Sequence, residues 1–403
     1  MRCRLLLLLS LLLSSPAFAK KVDLDYSVRL LPQSGQAEVQ LSLADGRMVR
    51  SLDFALGSGE VYSDFHADGQ WQRQGTRGVW QPGPGKSQLS YRVRLDQPLP
   101  NGVFSSRITP HWAVFRGEQL VPAARLDQQD GTELVARLSF TLPEGWKSVE
   151  TAWPRIGKHK FRIDNVSRLF DRPTGWMLAG NLGSRRARLG DTEVTVAAPQ
   201  GQGMRRMDTL TLLTVVWPQA QAIFPRTPGK LLVVGARDGM WRGASAGYQS
   251  IFLHSGRALI DDNGASPLLR DVVQVFTQVR DRERSDWLSE SINQHYAFEL
   301  LRRAGGVSED RYQALQVRLQ KQAAAVTSVR GEQASAAQVA RGVLLLQALD
   351  SEIRIHTHAK RSLDDVVRAL MRLPSVSTEE FVQISESVLG RRSEVLQSKV
   401  LRP

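Results

Sequence analysis

Cysteine is almost absent from this sequence: Cys3 is the single one in 403 residues. That excludes a disulfide scaffold, and a chain read from Lys20 onward would have no thiolate nucleophile and no Cys zinc ligand. Long apolar runs are also scarce. The one candidate is at the N-terminus, so a polytopic membrane protein is excluded. Histidines number seven, and no two of them stand four residues apart. A zinc peptidase helix presents two imidazoles one turn apart, with a Glu beside them as base. That arrangement is missing, and His356 and His358, two apart, fall on different helix faces. No basic run with interleaved aromatics occurs, which argues against nucleic-acid binding.

What is present begins with a targeting pattern. Arg2 and Arg4 precede an apolar stretch over 5–13, and Ala17-Phe18-Ala19 supplies a small-x-small cleavage site. A signal peptide over 1–19 is therefore expected, with export to a periplasm or the exterior. Loss of Arg2 and Arg4 lowers the formal charge from +13 to +11. A surface so basic favours a solvated exterior or an anionic neighbour such as an envelope surface.

Residues 20–225 read as β. Residues 23–30, 37–43 and 89–95 alternate apolar and polar, with turn signals such as Pro82-Gly83-Pro84-Gly85 between strands. Trp112, Trp153 and Trp176 are expected as packing anchors. Asn165-Val166-Ser167 is a glycosylation sequon by pattern. Residues 226–403 change character. Two buried strands are expected at 231–234 and 250–253. Helices follow from Ser266-Pro267, from Asp286, from Ser308, over 336–353 and from Ser362. Gly243-Ala244-Ser245-Ala246-Gly247 matches G-x-S-x-G, but it precedes a strand rather than a helix, so it reads as a glycine-rich loop. Val339, Val343, Leu346 and Ile353 share a helical spacing and are expected in the core.

The informative stretch holds Arg270-Asp271-Val272-Val273-Gln274 on one helix and Trp287-Leu288-Ser289-Glu290-Ser291 at the start of the next, then Leu300-Leu301-Arg302-Arg303-Ala304-Gly305. With Gly239-Met240-Trp241-Arg242-Gly243, this layout resembles the gluzincin zinc aminopeptidases, closest to the glycyl aminopeptidase family. The resemblance covers most of 230–373 and, more loosely, the β region before it. It implies an α+β fold: an N-terminal antiparallel β domain over 20–225, then a thermolysin-like, mostly helical peptidase-type domain over 226–403.

The resemblance also implies a metal site, and this sequence departs from it. The family motif HExxH falls on Arg270 to Gln274, so Arg270 and Gln274 replace the two His and Asp271 replaces the Glu base. A register four residues on, over 274–278, lacks His as well. Glu290 alone keeps a ligand identity, inside W-x-x-E-G with Ser291 in place of Gly. The family's transition-state Tyr lies in Y-x-[KR]-G, which here is Val339-Ala340-Arg341-Gly342, so Val339 stands in its place. Zinc is therefore not expected as a cofactor. Arg270 is expected to bridge to Glu290 as a guanidinium in the metal's place, a buried pair whose loss would cost several kcal/mol. The function implied is an inactive, exported pseudopeptidase that binds an unidentified peptide or protein. The alternatives are an active metallo-aminopeptidase using Asp271, Gln274 and Glu290, and an envelope-associated protein binding anionic polymers.

Overall fold

The computed structural model describes residues 20–164, 170–262 and 264–402. The expected signal peptide and the sequon at Asn165 lie outside these residues.

The first half is a stack of β-sheets. The largest has seven strands, running Arg155–Gly157, Lys160–Ile163, Thr132–Thr141, Lys20–Leu31, Gln36–Leu43, Ser87–Arg94 and Tyr62–Ala67 in spatial order. Its alternating pattern buries Leu24, Tyr26 and Val28 and leaves the intervening residues on the other face. The pairing is mostly antiparallel, but Lys20–Leu31 runs parallel to Thr132–Thr141. Sheets of four and five strands complete the region. The anchoring tryptophans are buried as expected: Trp153 donates its indole N–H to the Thr174 carbonyl at 3.1 Å, and Trp176 donates to the Ser245 carbonyl at 2.8 Å.

A further five-stranded sheet runs Leu182–Leu189, Thr192–Pro199, Lys230–Val234, Ser250–Leu253, Ala244–Gly247 in spatial order. Thr192–Pro199 and Lys230–Val234 pair in parallel, so this sheet takes strands from both sides of position 225. One face packs on the preceding sheet, where Trp112, Val114 and Trp176 meet Leu232, Val234 and Phe252. The other face carries the helices.

One of those helices corrects the reading of 20–225 as β. Helix α1, Arg206–Ile223, lies within that stretch. Its Thr- and Val-rich composition favours strand, its N-cap Arg205 makes no capping bond, and Pro218 sits inside it. Tertiary burial decides: Leu213, Val216, Trp217 and Ala220 pack into the sheet-and-helix core. Pro218 and Thr214, whose carbonyl loses its partner, both lie on the exposed side, where the missing bond is cheapest. A second correction concerns 243–247. It is not a loop: Ala244–Gly247 is an edge strand paired antiparallel with Ser250–Leu253. Ser245 therefore sits in a hairpin and has no nucleophile-elbow geometry.

Apart from a single turn at Gly117–Leu120, the remaining α-helices among the described residues are α2 (Pro267–Thr277), α3 (Trp287–Arg303), α4 (Glu309–Ala323), α5 (Ala336–His356), α6 (Leu363–Leu370) and α7 (Thr378–Leu389). Their starts follow local chemistry. Ser266 accepts from the Leu269 N–H at 3.2 Å, and Ser308 caps α4. Ser335 with Gln338, and Ser362 with Asp365, form capping boxes. Gly305, at φ 73°, follows α3 where an L-residue would be strained. Among the described residues no helix is long and apolar enough to cross a membrane.

Candidate functional site

Helices α2, α3 and α5 meet around one cleft of about 470 Å³. Arg270 from α2, Glu290 and Phe298 from α3, Leu319 from α4, and Val339 and Ala340 from α5 are among its lining residues. The wall is apolar along Phe298, Leu319 and Ala340, and charged at Arg270, Glu290, Asp261 and Arg318.

Local packing fixes the participants. Trp287, fully buried, donates its indole N–H to Thr378 Oγ1 at 3.1 Å and pins the first turn of α3. Asp281, from the loop before α3, accepts from the Ser289 N–H at 3.1 Å and from the Ser289 hydroxyl. Burial pushes the Asp281 carboxyl up to about 6, against the two Ser289 hydrogen bonds. Ser291 donates to the Val339 carbonyl at 3.3 Å and lies against Gly342. A Cβ at position 342 would approach Ser291 Oγ to 2.1 Å and the Trp287 ring to 2.8 Å. Glycine there is thus a condition of α3 and α5 approaching so closely, with Ser291 already in the contact.

Arg270 reaches from helix to helix: Nη1 lies 3.4 Å from Glu290 Oε2 and Nη2 lies 3.6 Å from Asp271 Oδ1. The pair is not buried, which corrects the expectation of a large cost. The side chains of Arg270 and Glu290 are 39% and 40% exposed. Water screens the contact, and such a pair contributes about 0–1 kcal/mol.

Asp271 is the buried member, at 1% exposure, and neither carboxylate oxygen has a hydrogen-bond partner. Burial pushes its carboxyl up to about 7. The Arg270 guanidinium opposes the rise and Glu290 adds to it. Nothing in the motif comparison signalled this, because burial of position 271 depends on how α2 docks. Gln274 departs from its expected place: it is exposed and does not line the cleft. Val339 also departs, being half-buried at the cleft wall, whereas Val343, Leu346 and Ile353 are fully buried.

No family model matches this chain, and no curated protein does. Solved structures do. The chain aligns over 93% of its length with 78% of an aminopeptidase N family protein from Idiomarina loihiensis, with a TM-score of 0.67 and 14% identity. It aligns over 94% of its length with 92% of an M1 zinc metallopeptidase from Deinococcus radiodurans, with a TM-score of 0.59 and 15% identity. Yeast LTA4 hydrolase matches at a TM-score of 0.58 and 14% identity, over 94% of this chain and 66% of that one. The chain has an M1 peptidase-like fold. At such identity the likeness is one of fold, and the chemistry has to be argued from the side chains present.

Those side chains do not fit a zinc ion. A catalytic zinc takes three protein donors and keeps a fourth position for water. Among the described residues no three His, Cys, Asp or Glu side chains gather to hold a metal. Glu290 faces a guanidinium, and a dication beside Arg270 would be repelled. His295, the histidine on α3, is buried, which lowers its pKa below the ordinary value and keeps the ring neutral.

Proposed function

We propose that this protein is an exported pseudopeptidase of gluzincin, thermolysin-like type, closest to the glycyl aminopeptidases. It holds a peptide or protein segment in the cleft between α2, α3 and α5 and does not hydrolyse it. The observation that carries this reading is Arg270, whose guanidinium lies against Glu290 where the resemblance puts the metal. Two further positions agree with it. Asp271, in the place of the general base, is buried without a hydrogen-bond partner, and Val339, in the place of the transition-state Tyr, offers no hydroxyl to a developing oxyanion. The cleft keeps what binding needs: an apolar wall for a side chain and charged groups for backbone or termini.

The test is metal content and activity together. The mature chain, purified without chelator and incubated with excess zinc, is desalted and measured by elemental analysis, then assayed on fluorogenic aminoacyl amides. Near-zero zinc and no turnover are expected. One zinc per chain, or turnover that a chelator abolishes, would overturn the proposal in favour of an active enzyme with unconventional ligands.

A further inference from the structure

A second cavity, of about 280 Å³, shares no lining residue with the cleft. It lies where the ends of strands Trp112–Arg116 and Trp176–Gly180 in one sheet meet Leu182–Leu189 and Thr192–Pro199 in the next. Three turns enclose it. Over 109–112 the Thr109 hydroxyl oxygen accepts from the His111 and Trp112 N–H groups at 3.2 and 3.1 Å. Over 143–146 the Trp146 N–H donates to the Pro143 carbonyl at 3.1 Å, and the Trp146 indole N–H donates to the Pro110 carbonyl at 2.9 Å. Beyond Pro199, the Gln200 N–H donates to the Asn181 carbonyl at 3.0 Å. Gly180 lets these segments approach: its φ is 137°, and a Cβ there would come within 2.5 Å of the His111 carbonyl oxygen. The walls are thus set by bonded backbone, as in a preformed ligand site.

The lining divides by chemistry. Pro110, Trp112, Trp146 and Pro199 supply carbon, and the Trp146 N–H is already bonded. Asn181 and Gln200 supply a neutral amide pair. Asn181 Nδ2 donates to Gln200 Oε1 at 3.2 Å, which leaves Asn181 Oδ1 as an acceptor and Gln200 Nε2 as a donor for a ligand. Glu144 and His111, both exposed, add a carboxylate and an imidazole. Among the described residues no lysine or arginine lines the cavity.

An anion would meet Glu144 with no cation in the lining to offset it, which disfavours phosphates and carboxylates. A purely apolar ligand would leave the amide pair unmatched. One acceptor and one donor are the complement of the N–H and C=O of a single acetamido group, whose methyl suits the carbon wall. Glu144 and His111 suit hydroxyls. The volume is near the lower end of ligand cavities, about 300 Å³, and fits one small ring with its substituents. We propose that this cavity binds an N-acetylated hexosamine unit, with its acetamido group on Asn181 and Gln200 and its hydroxyls on Glu144 and His111. A peptide presents the same amide without a ring of hydroxyls, and the test below separates the two. The site is independent of the cleft reading: it needs neither a bound peptide nor a lost metal.

The test is saturation-transfer NMR on the mature chain, titrated separately with N-acetylglucosamine, glucose and N-acetylglycine amide. The site variant is Asn181→Ala/Gln200→Ala. Gln200→Ala alone, at an exposed position, replaces it if the double variant is destabilised. The control is Gln72→Ala, exposed on strand Gly69–Gln74 and outside the cavity. Saturable N-acetylglucosamine binding is expected, with transfer strongest at the acetyl methyl and glucose at least about tenfold weaker. The double variant should weaken binding at least about tenfold through the two lost hydrogen bonds, with the control unchanged. No saturable N-acetylglucosamine signal, equal binding of glucose, or a signal that the site variant retains in full overturns the proposal. Tighter binding of N-acetylglycine amide than of the sugar also overturns it, in favour of a peptide.

Discussion

Asp271 allows the sharpest test of how the cleft is built. Its carboxyl is pushed from 3.8 to about 7, chiefly by burial. Between those values the native state holds a proton that the unfolded chain has released. Stability therefore falls as pH rises through that window, and above about pH 7 the full cost of burying the charge is present. The rise corresponds to about 4 kcal/mol. Asp271→Asn keeps the shape and removes the charge. At pH 8 the variant should be more stable than the wild type by about 2–4 kcal/mol, the amide still lacking partners for its polar atoms. Near pH 4 the gap should shrink to within about 1 kcal/mol, because the wild-type carboxyl is then neutral in the folded state. Urea denaturation of both proteins from pH 4 to pH 8 measures the difference and cancels every other titrating group, Asp281 included. A gap that does not change with pH, or a variant less stable at pH 8, would refute the burial argument.

Two further outcomes follow from packing. Gly342→Ala should destabilise by about 1–3 kcal/mol, because its Cβ meets Ser291 and Trp287, and adding Ser291→Gly should recover part of the loss in a denaturation double-mutant cycle. Arg303→Ala should cost about 3–5 kcal/mol by denaturation at neutral pH, since it leaves the largely buried Asp364 carboxylate, which Arg303 holds at 2.8 Å, with the Tyr296 hydroxyl but no cation, while Glu299 keeps its two bonds from Arg302.

The parts of the fold legible in the residues were those written within a few positions of one another. Ser266-Pro267, Ser308 and Ser362 start helices because a hydroxyl two or three residues away satisfies a free N–H. Alternation over 23–30 marked a half-buried strand for the same local reason. Helix α1 was not legible, because Thr, Val and Pro218 argue against it locally and only burial against the sheet outweighs them. The parallel pairing of Lys20–Leu31 with Thr132–Thr141 joins segments more than a hundred residues apart, and no local pattern encodes that.

The candidate site divides in the same way. Residue identity alone determined that no helix carries paired histidines, that position 270 is a cation and that position 339 lacks a hydroxyl. Those facts concern which atoms exist, and no folding can add to them. Only the tertiary structure decided that the Arg270–Glu290 pair is screened by water, that Gln274 is exposed and does not line the cleft, and that Asp271 is the buried charge. Exposure and the meeting of distant charges depend on how elements dock, and that is settled by the whole core at once.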